Sequence, residues 1–202
     1  ELKAAGDTID IPLSELVEDC RIVRFETSDE ALFKAWWIEV SDNYICVRQQ
    51  SNAVKLYDKD GKFLCNIGAM GNGPGEYPVT IYDGSIDERG GHIFLSLFYG
   101  KKIMMYGLDG KWIKDINLPG QINKPKIEVN ADGTLSVVHM PFEEGAPIAF
   151  RMDTDGNILS QIPALDYMLA GNFDNEIFSY RSTGTFDFFY TGTDTTSTYD
   201  TE

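Results

Sequence analysis

The sequence predicts an all-β protein, a β-propeller built from four-stranded antiparallel blades. Three observations predict it. Tyr57, Tyr106, Met152 and Tyr199 each stand near the end of a short strand pattern, at steps of 49, 46 and 47 residues. The first three are followed by an Asp-Gly pair, namely Asp60-Gly61, Asp109-Gly110 and Asp155-Gly156. Such a pair suits a tight hairpin, because glycine accepts the positive φ the turn demands. The runs between the turns are short and rich in β-branched and aromatic residues. A repeat of this length with strand periodicity corresponds to one propeller blade.

Residues 1–30 read as an N-terminal arm. Residues 9–13 are strand-like, residues 14–19 fit one helical turn capped by Ser14, and residues 21–26 alternate as a strand. An early strand often completes the last blade of a closed ring, so the partner of 21–26 stays open at this point. Residues 31–202 read as a partial propeller with blades over 31–68, 79–118, 124–165 and 173–202. In the first blade, strands are expected at 32–40, 44–47, 54–57 and 62–67. Residues 77–82 look like a strand leading into the second blade, which continues with 92–97, 102–106 and 111–116. The third has 134–138, 148–152 and 157–162, with its extra length in a loop where insertions cost little.

In the fourth blade, 177–180 and 186–190 read as the first two strands and Tyr199 marks the third. Its hairpin glycine would fall at position 203, so about three and a half blades are expected in this chain. An incomplete ring leaves apolar blade faces uncovered. The chain is therefore expected to be part of a longer protein or to self-associate through those faces.

Composition narrows the partners. The 202 residues carry a formal net charge of −15 and a pI near 4.4, which disfavours nucleic acid and anionic membranes. No apolar run approaches a membrane span, and Glu1-Leu2-Lys3 opens without a signal-peptide core, which fits a cytosolic chain or a trimmed mature form. Cys20, Cys46 and Cys65 are odd in number and far apart, so they read as small buried hydrophobes rather than a disulfide or metal framework.

Residues 67–78, Ile-Gly-Ala-Met-Gly-Asn-Gly-Pro-Gly-Glu-Tyr-Pro, form the one dense motif. Gly71, Gly73 and Gly75 do not have dinucleotide-loop spacing, and the Lys of a phosphate loop is missing, so an inter-blade corner is expected. Together with residues 58–64, 11–16 and 24–28, this stretch resembles the six-bladed β-propeller proteins of Bacteroides-type bacteria and is similar to the corner of NHL-repeat propellers. The resemblance implies a secreted, often lipid-anchored protein, hence a periplasmic or cell-surface location. No anchoring cysteine opens this chain, and six blades of about 47 residues need more than 202.

No catalytic, cofactor-binding or metal site is assigned. Asp153, Asp155 and Asn157 spell a calcium-like loop, as Asp58 and Asp60 begin to. An EF-hand needs Gly at position 6 and Glu at position 12, and neither loop supplies them, so both read as hairpin turns. His92 and His139 sit at the start and end of second strands, too scattered for a metal centre. Glu143-Glu144 and Asp83 with Asp87 arise readily in a chain with 32 acidic residues. Trp36, Trp37, Trp112 and Tyr99 are candidates for stacking on sugars, with both Trp36 and Trp37 expected to pack between blades. The reading is a non-catalytic module that binds a protein or glycan partner. The alternative is a lyase or lactonase-like propeller enzyme whose site needs further blades.

Overall fold

A computed structural model describes residues 10–171, 173–182, 185–190 and 196–200. The first sheet holds β1 (Trp37–Val40), β2 (Tyr44–Arg48), β3 (Val54–Asp58) and β4 (Phe63–Ile67). A short parallel pair follows, β5 (Ala69–Met70) and β6 (Glu76–Tyr77). The second sheet holds β7 (Ile81–Asp87), β8 (His92–Leu97), β9 (Tyr99–Gly107) and β10 (Trp112–Asn123). The third holds β11 (Lys126–Val129), β12 (Leu135–Val138), β13 (Pro147–Met152) and β14 (Ile158–Pro163). The fourth holds β15 (Ile177–Ser182), β16 (Thr185–Tyr190) and β17 (Thr196–Asp200), three strands among the described residues. Within each of these four sheets, strands neighbour one another in chain order, giving propeller-like antiparallel blades.

The landmark residues occupy one register. Tyr57 pairs with Ile45, Tyr106 with Ile93, Met152 with Leu135 and Tyr199 with Phe186. After the first three, the turns close alike. The N–H groups of Asp58, Gly107 and Asp153 donate to the carbonyls of Lys62, Lys111 and Asn157. Gly61, Gly110 and Gly156 take φ of 88°, 80° and 93°, the left-handed region that favours glycine.

The sheets pack face to face. Val54, Leu56 and Ile67 of the first meet Ile93, Leu95, Met104 and Tyr106 of the second. Phe94, Ile103, Met105 and Ile116 on the second sheet's other face meet Leu135, Val137, Phe150 and Met152 of the third. Each such side chain contributes about 1.5–3 kcal/mol relative to exposure. Alternation along the strands supplies both faces at once, which is why these runs are apolar throughout.

Several expectations need correction. The first strand begins at Trp37 rather than residue 32, because residues 31–33 fold over the sheet instead of joining its edge. Phe33 lies edge-on to Tyr57 at 5.6 Å, and the N–H of Lys34 donates to Gln49 Oε1 at 2.9 Å. Pro78 lacks an N–H, and the second sheet starts at Ile81. Ser14 caps no helix. The turn is a 3-10 segment, Leu13–Glu15, with Pro12 at its N-cap and no side-chain cap bond. Residues 10–12 are not a strand, and residue 9 lies outside the described residues.

Segment 21–26 is extended yet paired with no strand among the described residues. Its Val23 and Phe25 pack with Ala31 and Phe33 over Ile45, Val47 and Tyr57. The glycine-rich corner is held by Tyr77. Its buried hydroxyl accepts from the N–H of Val54 at 2.8 Å and donates to the carbonyl of Ile67 at 3.0 Å.

Candidate functional site

Two of the clefts between the sheets gather charged or polar side chains. The inner one, about 650 Å³, lies among β1, β7 and β11, the first strands of their sheets. Trp37, Asp83 and Lys126 hold the same register place, opposite Arg48, Ser96 and Val138. Arg48 Nη1 lies 2.9 Å from Asp83 Oδ1, with both side chains buried, and also donates to the carbonyl of Tyr82. Asp83 Oδ2 accepts from the N–H of Ile127 at 2.9 Å, and Lys126 Nζ lies 3.9 Å from Oδ1. Lys126 sits over the rings of Trp37 and Tyr82, at 5.1 and 5.0 Å.

The same cleft carries a perturbed acid. Burial, then the Asp83 carboxylate, push the half-buried Glu39 up to about 8, so it is protonated at neutral pH. Glu39 Oε1 accepts from the N–H of Ile86 at 3.1 Å, and Ser85 Oγ accepts from that of Val129 at 3.4 Å. These bonds join neighbouring first strands that share no ladder. The single carboxylate of Asp83 stands between the cations of Arg48 and Lys126, so the trio keeps a net positive charge while it clamps three sheets together.

The outer cleft, about 730 Å³, runs between β10 and the β13–β14 pair, at the end of the sheets where chain passes from one to the next. Gln121, Asn123, Gln161 and His139 supply polar groups, and Phe142 and Phe173 supply ring faces. Gln121 Nε2 donates to Asn123 Oδ1 at 2.8 Å. His139 is buried, with Nδ1 3.2 Å from the carbonyl of Met140. Burial drops its pKa to about 4, so the imidazole is neutral at pH 7.

Phe173 is 46% exposed and is held from below. It stacks on Phe98 at 6.1 Å and meets Phe142 at 4.7 Å. Lys124 Nζ donates to the carbonyls of Phe173 and Asn175 and to Glu176 Oε1, the last two at 2.9 and 2.6 Å. Lys124 itself takes φ 45°, a left-handed conformation rare for a residue other than glycine, and its N–H donates to the carbonyl of Phe98 at 2.8 Å.

The residues singled out from sequence scatter. Asp83 joins the inner clamp, whereas Asp87 turns to His92, 3.8 Å away. His139 reaches the outer cleft, and the two histidines do not meet. Trp36 packs on Tyr82 at 5.8 Å, but Trp37 is 44% exposed in the inner cleft instead of buried between sheets, because its neighbour there is the cation of Lys126. Trp112 Nε1 donates to Asp115 Oδ1 at 3.0 Å. Tyr99 is exposed and edge-on to Phe98.

Asp153 Oδ1 accepts the N–H groups of Asp155 and Asn157, and Asp58 Oδ1 those of Asp60 and Lys62, all at 2.9 Å. Both carboxylates thus serve their own turns. Among the described residues no three His, Cys, Asp or Glu side chains gather to hold a metal ion. Cys46 is buried and Cys65 half-buried. Cys20 is exposed, contrary to expectation, because its arm segment covers no core. No motif in the sequence marks Arg48, Lys124 or Lys126. A lysine or arginine at the end of a buried strand pattern is the only local signal they give.

Among the described residues no helix is long and apolar enough to cross a membrane. The chain is similar to a Bacteroides fragilis NCTC 9343 protein of known structure described as a "Putative exported protein". Identity is 17% and the TM-score 0.64, over 83% of this chain and 48% of that one, so the chain spans about half of that protein's length. It is also similar to the computationally designed Ika4 protein, at 10% identity and TM-score 0.52, over 91% of this chain and 99% of that one. A catalytically inactive virginiamycin B lyase from Staphylococcus aureus aligns at 17% identity and TM-score 0.49, over 81% of this chain and 54% of that one, a likeness too slight to bear on chemistry. No curated protein matches the sequence. Residues 2–202 match the family described as a domain of unknown function, DUF4934, and the chain belongs to that family.

Proposed function

We propose that this chain is a non-catalytic, extracytoplasmic β-propeller module that binds a glycan or protein partner through the outer cleft. One observation carries the reading. The exposed ring of Phe173 stands beside the amides of Gln121, Asn123 and Gln161, in a concave site of binding-pocket size. An aromatic face takes the apolar side of a sugar or side chain, and amides take hydroxyls or backbone groups. The exported description of the Bacteroides fragilis protein supports an extracytoplasmic location. The six-blade count implied by the resemblance belongs to the same proposal, and the greater length of that protein supports more sheets than four.

Glycan-array and calorimetric binding to the purified chain tests the reading, alongside a pull-down with candidate surface proteins. Phe173→Ala and Gln121→Ala are each expected to weaken the captured ligand about tenfold, which is about 1.4 kcal/mol. Unchanged affinity in both variants would show that the cleft is not the binding site.

A further inference from the structure

The outer cleft is poor in net charge. Of the charged side chains on its described wall, Lys101 and Glu143 are one of each sign, and both are exposed. His139 lies in the same wall, and its imidazole is neutral at pH 7. The ammonium of Lys124, beneath Phe173, is already taken by two carbonyls and the Glu176 carboxylate. No surplus cation therefore waits for a carboxylate or sulfate, and a chain of net charge −15 repels anions at long range.

What the wall does offer is amide chemistry beside a fixed ring. Asn123 is buried, and its Oδ1 accepts from Gln121 Nε2 at 2.8 Å, while among the described residues no acceptor meets its Nδ2. A buried donor of this kind gains from a hydroxyl brought to it. Gln121 and Gln161 add exposed amides, each both donor and acceptor. Phe173 is backed by Phe98 and Phe142, and the bond from Lys124 to its carbonyl holds the backbone. A ring fixed in advance loses little freedom when a ligand stacks on it.

The same walls obstruct an extended peptide. A peptide that adds as a strand needs a run of free N–H and C=O groups along a sheet edge. β10 and β14 are the outermost strands of their sheets, but both edges are broken here. The β10 ladder shifts between Asn117 and Ile122, and Pro119 inside that stretch has no N–H. β14 ends on Pro163, paired with Pro147 of β13, and neither has an N–H to give. We infer that the ligand of the outer cleft is an uncharged oligosaccharide, with the C–H face of one sugar on Phe173 and its hydroxyls on the amides of Gln121, Asn123 and Gln161. This rests on the outer cleft being the binding site, as proposed above.

Calorimetry on the purified 202-residue chain tests the inference. The probes are neutral hexasaccharides of the cello, malto, xylo, manno and galacto series, with hexagalacturonate as the anionic counterpart. A displayed random-peptide library is screened in parallel. At least one neutral series is expected to bind about tenfold or more tighter than hexagalacturonate. Raising sodium chloride from about 0.05 to about 0.5 M should change that affinity less than about twofold, because no ion pair is made. Saturation-transfer NMR should mark the C–H protons of one sugar face and lose that signal in Phe173→Ala. Gln161→Lys should narrow the gap by raising the affinity for hexagalacturonate.

Hexagalacturonate binding as tightly as every neutral series overturns the inference, and so does a panel in which no neutral series binds. Peptides captured in a Phe173-dependent way, with no neutral sugar bound, overturn it while leaving the outer cleft as the site. A neutral sugar bound equally well by Phe173→Ala and Gln121→Ala removes the outer cleft itself as the site, and the inference with it. The contrast between neutral and anionic sugars on the unmutated chain decides the ligand class even where a variant unfolds.

Discussion

The hydroxyl of Tyr77 receives the backbone N–H of Val54 at 2.8 Å, at the end of the β3–β4 ladder where Val54 pairs with Ile67. It returns a bond to the Ile67 carbonyl, so one side chain from the glycine-rich corner satisfies both ends of a buried strand pair. The Tyr106 hydroxyl reaches the Gly75 carbonyl at 3.1 Å, so the corner is bonded to both sheets it joins.

Tyr77→Phe keeps the ring and strips both bonds. Leaving a buried donor and acceptor unmet is expected to cost about 1–3 kcal/mol. Urea denaturation should show a lower midpoint with an unchanged slope.

Two glycines with nearly the same φ separate strain from collision. Gly110 and Gly133 stand at 80° and 82°, but only Gly110 has a neighbour, the Asn66 carbonyl, in the path of a Cβ. Alanine at either costs about 1–2 kcal/mol for the left-handed backbone. Gly110→Ala should lose about 1 kcal/mol or more beyond Gly133→Ala, read from thermal melts.

Glu39 should give the fold a measurable pH dependence. Its folded pKa is raised, to about 8 from 4.5, so the folded state holds a proton the unfolded chain has released. That stabilisation is complete below about pH 4.5 and is lost as pH rises through 8. His139 works oppositely. Its depressed pKa costs stability as pH falls from 6.5 toward 4. The Glu39 effect therefore stands apart between pH 6.5 and 8, where Glu39→Gln should flatten the decline seen in the parent chain.

Lys124→Met keeps length and bulk but removes the ammonium under Phe173. The lost bonds to two carbonyls and a carboxylate should cost about 1–3 kcal/mol. Limited proteolysis near Asp174 should quicken, and affinity in the outer cleft should fall with the loosened ring.

The repeat was legible because its marks are local. Tyr57 and Gly61, or Tyr106 and Gly110, lie a few residues apart and encode a hairpin through backbone chemistry alone. The alternation of 21–26 was equally legible, but not its place beside Gly61, because nothing local says which sheet a lone strand will cover. The clamp of Arg48, Asp83 and Lys126 was illegible for the same reason. Its members stand on three sheets and meet only once those sheets are packed. Trp37 reads as core because a tryptophan in an apolar run carries no local mark of the Lys126 cation that sits over it.

The two ends of the sheets differ in tolerance. At the hairpin end, the turns of the first three sheets close over the same number of residues, and each glycine rests on a carbonyl of the segment packed before it, Arg24, Asn66 or Asn117. At the other end the links between second and third strands range from the single Phe98 to the stretch 139–146. Foreign sequence spliced into the exposed tip 143–145 should leave the stack standing, whereas one residue added between Gly107 and Lys111 should wedge it apart. The molecule thus has one rim on which new specificities can be written and one that only keeps the leaves together.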